Sequence, residues 1–270
     1  KRVNVFNIDN FIKGAFLFLI GYIKKVYLAN NLSFYVDKGF ENLNELNTVT
    51  AWITSFSFTF QFYFDFSAYV DMALGCALMM NIVLPKNFNS PLKATNLIDF
   101  WKRWHITLTN FLMNYIYFPI LSSRQTISFN FSMLVTLFIF LLAGFWHGPS
   151  WTFLFFGFLH GVGVIFNHLL PKVFNFKISE FLSIFFTLNY VNITFIFFRS
   201  ENLNQGITLL EKMFLNVNLN NHFVFLQKDF VENNLHYLTL VTSIVIIFFL
   251  KNSNQINLNK LLNLNEKKNN

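Results

Sequence analysis

The 270-residue chain is poor in cysteine, proline, glycine and charge, and each shortage excludes a class of protein. Its single cysteine, Cys76, excludes a secreted domain framed by disulfides. With 10 glycines, 5 prolines and 54% hydrophobic residues, the chain is neither collagen-like nor disordered. Only 12% of the residues are charged, whereas soluble domains carry about 25%. Because so few charges could not cover the surface of a water-soluble globule, the composition predicts a polytopic membrane protein.

The charges that remain are mostly basic and give the chain a net charge of +7. In a soluble protein this would suggest nucleic acid as a partner, but here the basic residues lie mostly between apolar segments or at the ends. We interpret them as topology determinants beside anionic lipid headgroups and expect no nucleic-acid partner. No cleavable signal pattern is visible, and because the chain starts at Lys1, close to an apolar segment, we expect it to be part of a longer protein.

Several apolar segments reach the length of about 20 residues that a helix needs to cross a hydrocarbon core. The clearest stretch runs from Gln125 to Pro171 without Lys, Arg, Asp or Glu, and Gly144, Gly148 and Pro149 are expected to divide it into two helices. The pattern predicts an all-α chain with spans at about residues 11–28, 46–80, 127–146, 151–170, 180–198 and 235–250.

Two segments differ in kind from these spans. The segment Leu97 to Leu121 mixes charged residues with tryptophans, which predicts either a helix in the membrane interface or a re-entrant segment held by its neighbours. The segment Leu203 to Phe214 predicts a short helix within a loop. We expect one membrane-embedded domain over residues 1–270, in which residues 251–270 form a flexible cytoplasmic tail rich in Asn and Lys.

The distribution of basic residues also predicts an orientation, since positive residues mark the cytoplasmic side. The basic region 86–124, the link at 172–177 and the tail are placed inside, and the turn 147–150 and the loop 199–234 outside. Lys24 and Lys25, expected near the outer end of the first helix, do not fit this orientation.

Ionisable side chains inside a membrane are expensive and usually functional. The candidates of this kind are Asp65, Asp71, His105, His147, His160 and His168. His147 precedes Gly148 and Pro149, so the helix is expected to break there, and a neutral imidazole at a broken helix could act as a general base on a hydroxyl nucleophile. The alternative is that His147 and His160 hydrogen-bond between helices and hold the hairpin together.

The remaining motifs of metal and cofactor chemistry are missing from the sequence. His147 and His160 have no third ligand at close spacing, and structural zinc usually takes four ligands, so no metal site is expected. The chain has no nucleophile elbow, phosphate-binding loop or dinucleotide fingerprint, and we expect no bound cofactor.

Asp65 and Asp71 lie six residues apart in the segment 61–75, so on a helix they face different directions and do not form one carboxylate pair. We favour ion pairs with Lys or Arg of a neighbouring helix. In the segment 100–108, Lys102, Arg103 and His105 alternate with tryptophans. This pattern indicates either an interfacial anchor or a basic, aromatic mouth for an anionic donor such as an acyl-CoA or a phosphopantetheine carrier.

Three long motifs carry a family resemblance: FYFDFSAYVDMALG (62–75), LPKNFNSPLKATNLIDFWKRWHITLTNFLMNYIYFPI (84–120) and LLAGFWHGPSWTFLFFGFLHG (141–161). They resemble the membrane-bound O-acyltransferase (MBOAT) family, in particular its bacterial branch of alginate and peptidoglycan O-acetyltransferases. The segments 21–40 and 192–214 resemble the same branch. The family pattern extends further toward the N-terminus by several membrane helices, which this chain is expected to lack.

The resemblance implies a helical shell with a funnel on each face and acyl transfer at a membrane-embedded site. His147 matches the family's key histidine and His105 a second one, so both are predicted to be catalytic. The topology above puts His105 toward the inside and His147 toward the outside. Lys102 stands where this branch commonly has arginine, which keeps the charge but not bidentate phosphate binding. The predicted donor- or substrate-binding residues are Lys102, Arg103, Trp104, Trp146, Asp65, Asp71 and His160.

The resemblance also implies partners and a location. The donor would be acetyl-CoA or another acyl thioester from the cytoplasm, and the acceptor an extracytoplasmic polysaccharide such as alginate, peptidoglycan or another exopolysaccharide. A separate extracytoplasmic acetyltransferase and a multi-pass location in the bacterial inner membrane are expected. The alternatives are D-alanyl transfer to teichoic acid, a transporter, which would show discontinuous helices in paired repeats, and an inactive scaffold fragment.

Overall fold

The computed structural model describes residues 7–173, 178–215 and 230–256, and every regular element in these ranges is helical. The predicted all-α class is therefore confirmed. Two π-helical segments, Lys24–Ala29 and Met113–Tyr117, each join two α-helices into one continuous helical run. The helices are α1 Ile8–Ile23, α2 Asn30–Glu41, α3 Thr48–Met79, α4 Leu97–Arg103, α5 Ile106–Leu112, α6 Phe118–Ser122, α7 Phe129–His147, α8 Trp151–Val173, α9 Glu180–Arg199, α10 Leu203–Phe214 and α11 Phe230–Phe249.

Three helices in the described ranges, α7, α8 and α9, are long and apolar enough to cross a membrane by length and composition. They coincide with the spans predicted at 127–146, 151–170 and 180–198. The apolar part of α11, Tyr237–Phe249, is shorter. The 32 residues of α3 extend about 48 Å, which exceeds a hydrocarbon core of about 30 Å.

The first predicted span proves to be part of a much longer helical run. The sequence predicts an end near residue 28, but the chain stays helical through the π segment Lys24–Ala29 to Glu41. This run packs antiparallel to α3, with Gly14 against Gly75, where a Cβ on Gly14 would lie 2.5 Å from the carbonyl oxygen of Gly75. Glycines permit such close approach of two helices in a membrane. Lys24 and Lys25 are therefore in the middle of a helical run and not near its outer end.

The hairpin of α7 and α8 forms as predicted, with one difference in where it turns. Gly144 does not break α7, which continues to His147. Gly144 instead faces Gly157 of α8, and a Cβ on either residue would clash with the backbone of the other helix. The helix ends at Gly148, whose backbone φ of 152° is rarely adopted by residues other than glycine.

The segment 97–122 forms a re-entrant hairpin rather than an interfacial helix. It starts beside the C-terminal part of α8, where the Leu97 amide donates to Asn167 Oδ1 at 2.8 Å. It returns beside the N-terminal half of α7, where Leu121 packs against Val135 and Ile139. Lys172 lies over the Phe129 ring, which shows that these two helix ends are neighbours. The hairpin therefore begins and ends on the same side of the bundle, with Trp104 and His105 at its apex.

An aromatic core between α3, α4, α8 and α9 holds this apex in place. Phe100 and Trp104 are 1% and 4% exposed, and their rings stack 5.6 Å apart. Trp104 also contacts Phe62 at 5.3 Å and Phe195 at 5.4 Å between ring centroids. Because aromatic rings in such contacts are well packed, the position of the apex is set by three other helices.

The chain after α11 packs against α3, where the Ser253 hydroxyl donates a hydrogen bond to Asp71. Residues 257–270 of the predicted tail lie outside the described residues.

Candidate functional site

The apex of the re-entrant hairpin consists of two residues with contrasting backbone conformations. Trp104 is extended, and His105 is left-handed, with φ 43° and ψ 54°. A non-glycine residue in this region is uncommon, although histidine is among those enriched there, and the conformation costs about 1–2 kcal/mol. Strain of this kind persists only where neighbouring contacts enforce it.

Asn87 supplies those contacts from the extended segment before the hairpin. Its carbonyl oxygen accepts a hydrogen bond from the Ile106 amide at 3.0 Å. Its side-chain Oδ1 accepts from the amide of Thr107 at 3.0 Å and from the hydroxyl of Thr107 at 2.7 Å. These bonds satisfy the first amides of α5, a task that the N-cap side chain usually performs. His105 occupies the N-cap position but makes no capping bond, so its imidazole remains available for other contacts.

His147 lies at the C-terminal end of α7, where Gly148 terminates the helix. Its ring is edge-on to Phe198 at 4.9 Å and to Trp146 at 5.0 Å. In the described part of the chain no group hydrogen-bonds its nitrogens. The prediction that the helix breaks at this histidine is correct.

Two cavities meet at His147. The first, the hairpin cavity, has a volume of about 400 Å³ and lies between the re-entrant hairpin, α7 and α8, with Lys102 and His168 in its wall. The second, the ion-pair cavity, has a volume of about 560 Å³. It is lined by Lys25, Phe62, Asp65, Phe66, Tyr69, Met72, His105, Trp146, His147 and Phe198. His147 lines both cavities, so a group bound in either one borders this residue.

His105 and His147 border the same cavity. The Trp146 ring lies 6.3 Å from His105 and 5.0 Å from His147, and Phe66 packs edge-on to His105 at 4.9 Å. The expectation that the two histidines lie toward opposite faces is wrong, because the re-entrant hairpin carries His105 into the bundle. Nδ1 of His105 is buried and has no hydrogen-bond partner among the described residues. Burial lowers the pKa of this imidazole, which lies outside the membrane-spanning helices, and favours its neutral form.

His160 lies in neither cavity and links three helices instead. It is fully buried, its Nδ1 accepts a hydrogen bond from Trp101 Nε1 at 3.2 Å, and its Nε2 lies 2.9 Å from Thr194 Oγ1. The Thr194 hydroxyl donates to the Val191 carbonyl, so the Nε2–H of His160 is the donor to Thr194. Both ring nitrogens are used within the protein, which is the arrangement of a residue that holds α4, α8 and α9 together.

Asp65 and Asp71 face different directions, as the six-residue spacing predicts, and each forms an ion pair with a lysine of the first helical run. Asp71 pairs with Lys24 at 2.6 Å and lies away from the ion-pair cavity, whereas Asp65 pairs with Lys25 within it. These pairs also explain how two lysines are tolerated in the middle of an apolar helical run, since each one has a carboxylate partner.

Of the other predicted binding residues, two line a cavity and two do not. Lys102 is exposed in the hairpin cavity and Trp146 lines the ion-pair cavity. Arg103 lies outside both, with its Nε bonded to Asp99 at 2.7 Å, and Trp104 is part of the aromatic core. In the described ranges no three His, Cys, Asp or Glu side chains lie close enough together to hold a metal ion.

Two residues of the site escaped the sequence analysis. Nothing in the sequence around Asn87 predicts its capping role, because the helix that it caps starts 19 residues later in the chain. Lys25 could have been found from the energetic need of Asp65 for a partner within the membrane, but no spacing in the sequence says which lysine supplies it.

Comparisons with known proteins agree with this architecture. The profile of the family described as MBOAT, membrane-bound O-acyltransferase family, matches residues 4–202. The chain is 42% identical over 217 residues to the peptidoglycan O-acetyltransferase of Helicobacter pylori. This aligned region covers 79% of this chain and 41% of the relative. It is 35% identical over 207 residues to the probable alginate O-acetylase AlgI of Azotobacter vinelandii, covering 77% of this chain and 41% of the relative.

A more distant similarity links the chain to the teichoic acid D-alanyltransferase of Streptococcus thermophilus, at 28% identity over 165 residues. That match covers 52% of this chain and 39% of the relative. The chain thus spans less than half the length of the relatives it matches.

Proposed function

Because this chain belongs to the membrane-bound O-acyltransferase family, we propose that the whole protein transfers an acetyl group from a cytoplasmic thioester, such as acetyl-CoA, to hydroxyls of an extracytoplasmic polysaccharide. Peptidoglycan and alginate are the acceptor classes that the names of its relatives suggest. The protein would be a multi-pass protein of the bacterial inner membrane and would work with a separate extracytoplasmic acetyltransferase. Residues 1–270 would form one membrane-embedded domain.

The observation that carries this proposal is the position of His147 in the wall shared by two cavities. Acyl transfer between substrates from two compartments needs a catalytic group that both substrates reach. One residue that borders two cavities meets this need without a movement of the fold. His105 borders one of them beside His147, so two imidazoles are available at the meeting point.

The two cavities differ in a way that suggests which substrate each receives. Lys102 is exposed in the hairpin cavity and provides a positive charge for an anionic thioester donor. The ion-pair cavity contains Lys25 and Asp65, whose charges cancel, and suits the uncharged hydroxyl groups of the acceptor. We therefore assign the donor to the hairpin cavity and the acceptor to the ion-pair cavity.

In this assignment His147 is the general base. Its neutral imidazole takes the proton of the acceptor hydroxyl while the hydroxyl oxygen forms a bond to the thioester carbonyl carbon. The carbon–sulfur bond then breaks, and the imidazolium returns the proton to the thiolate, so the products are an O-acetyl ester and a free thiol. The neutral form of His105, favoured by its burial, serves as a hydrogen-bonding group beside the reacting carbonyl.

The test uses purified whole protein in detergent with radiolabelled acetyl-CoA and a soluble glycan. His147→Ala is expected to lower acetyl transfer at least a hundredfold, because general bases contribute about 10²–10⁴ to rates. Phe158→Ala is the control, since Phe158 is an exposed residue of α8 that lines neither cavity, and its turnover should stay within threefold of wild type. Wild-type turnover by a normally folded His147→Ala protein would remove His147 from this role.

D-alanyl transfer to teichoic acid is the second candidate and would use the same two cavities. It is less favoured because the D-alanyltransferase relative is 28% identical, against 42% for the peptidoglycan O-acetyltransferase. A comparison of acetyl and D-alanyl thioesters as donors in the same assay separates the two functions.

A further inference from the structure

Two lysine–aspartate pairs of the same chemistry connect the first helical run to α3, but their surroundings differ. The side chains of Lys24 and Asp71 are 12% and 3% exposed, so this pair is largely buried, and only its lysine borders a smaller cavity of about 240 Å³. The side chains of Lys25 and Asp65 are 42% and 44% exposed and line the ion-pair cavity. Stability alone requires only that each charge in the membrane has a partner. The open pair therefore has a feature that stability does not explain.

The backbone places the two lysines on opposite flanks of α3. Neighbouring residues of a helix point about 100° apart, and the six-residue spacing of the aspartates separates them by about 240°. Lys24 and Lys25 begin the π segment that interrupts the first helical run. Such π-helical interruptions of a regular helix are frequent at functional sites. Lys24 therefore reaches the largely buried flank, and Lys25 reaches the ion-pair cavity beside His147.

The open pair keeps hydrogen-bonding capacity toward the cavity. Among the described residues Lys25 is the one partner of Asp65. A carboxylate has about four acceptor positions and an ammonium group three donors, so most of both sets remain free for a ligand. The pair carries no net charge, which argues against a phosphate as its ligand. A hydroxyl group both donates and accepts, so it can bond to either member of the pair.

We propose that Lys25 and Asp65 bind hydroxyl groups of the acyl acceptor and hold it beside His147. The inference rests on the proposed acetyl transfer and adds to it the site that recognises the hydroxyl groups of the acceptor, a polyhydroxylated carbohydrate. The ion-pair cavity, at about 560 Å³, has the size of a small-ligand site. Phe66 and Trp146 give it apolar walls against which the carbon face of a sugar packs.

The experiment measures acetyl transfer to N,N′,N″-triacetylchitotriose (called chitotriose below), an uncharged trisaccharide, by the whole protein in detergent, and hydrolysis of acetyl-CoA without sugar. The double variant Lys25→Gln/Asp65→Asn removes both charges and so leaves no unpaired charge in the membrane. It is expected to raise the KM for chitotriose at least tenfold. The KM for acetyl-CoA and the rate of hydrolysis are expected to stay within twofold of wild type.

Two further variants separate binding from folding. Asp37→Asn/Arg199→Gln removes an interhelical ion pair that lies outside both cavities and should leave the KM for chitotriose unchanged. The exchange Lys25→Asp/Asp65→Lys restores an ion pair between the same helices but interchanges the donor and the acceptor. It is expected to recover the melting temperature without recovering the KM for chitotriose.

Each outcome bears on one claim. An unchanged KM for chitotriose in the charge-removed variant, or a KM that recovers together with the melting temperature in the exchanged variant, would overturn the assignment of Lys25 and Asp65. Wild-type protein that hydrolyses acetyl-CoA but never acetylates the sugar would overturn the carbohydrate as acceptor. Wild-type protein that does neither would overturn the proposed function itself.

Discussion

Replacing Asn87 by alanine is expected to disorganise the apex that carries His105. The variant loses the hydrogen bonds that Oδ1 accepts from the amide and the hydroxyl of Thr107, at 3.0 and 2.7 Å. The Ile106 amide keeps its bond to the Asn87 carbonyl, so the turn is weakened rather than abolished. A part-buried amide left without a partner costs about 1–3 kcal/mol. This is comparable with the cost of about 1–2 kcal/mol for the left-handed conformation of His105, so the loss is large enough to release it.

The expected magnitude follows from the middle of that range. A loss of about 2 kcal/mol lowers the ratio of the competent to the relaxed apex by about 30-fold. If only the competent apex supports transfer, turnover falls by up to this factor. Asn87→Asp keeps an oxygen that accepts both bonds and places a negative charge at the start of α5, where the helix dipole favours it, so it should retain most of the activity.

The assay compares both variants with wild type in thermal unfolding and in acetyl transfer at saturating donor. The reasoning is refuted if Asn87→Ala unfolds at the wild-type temperature with undiminished turnover. It is equally refuted if Asn87→Asp is as defective as Asn87→Ala, because that result would show that the amide group has a role other than that of an acceptor.

Two other substitutions test the framework of the site. His160→Leu leaves Trp101 Nε1 without its acceptor and should lower the free energy of unfolding by about 2–4 kcal/mol, measured by denaturation in detergent; an unchanged stability would contradict the linking role. Gly148→Ala places a Cβ 3.0 Å from the Phe153 ring at a residue whose φ is 152°. The free energy of unfolding should fall by about 1–3 kcal/mol, and turnover should fall with it. Wild-type kinetics would show that the helix end next to His147 tolerates change.

The sequence alone determined the transmembrane helices α7, α8 and α9, because long runs without charge have few other stable conformations in a chain of this composition. It also determined that Asp65 and Asp71 act separately, since helix geometry fixes the angle between residues six positions apart. The break after His147 followed from Gly148 and Pro149. These are local properties, and the order of residues along a helix is enough to derive them.

Only the tertiary structure decided that His105 and His147 share a cavity. The distance between them depends on how far the re-entrant hairpin enters the bundle, and that is set by the packing of Trp104 against other helices and by the cap from Asn87. The lysine partners of the aspartates were likewise decided by packing, because the close contact of Gly14 with Gly75 fixes the register of the first helical run against α3. Contacts between residues distant in the chain depend on how all the helices pack together, and no local pattern encodes that arrangement.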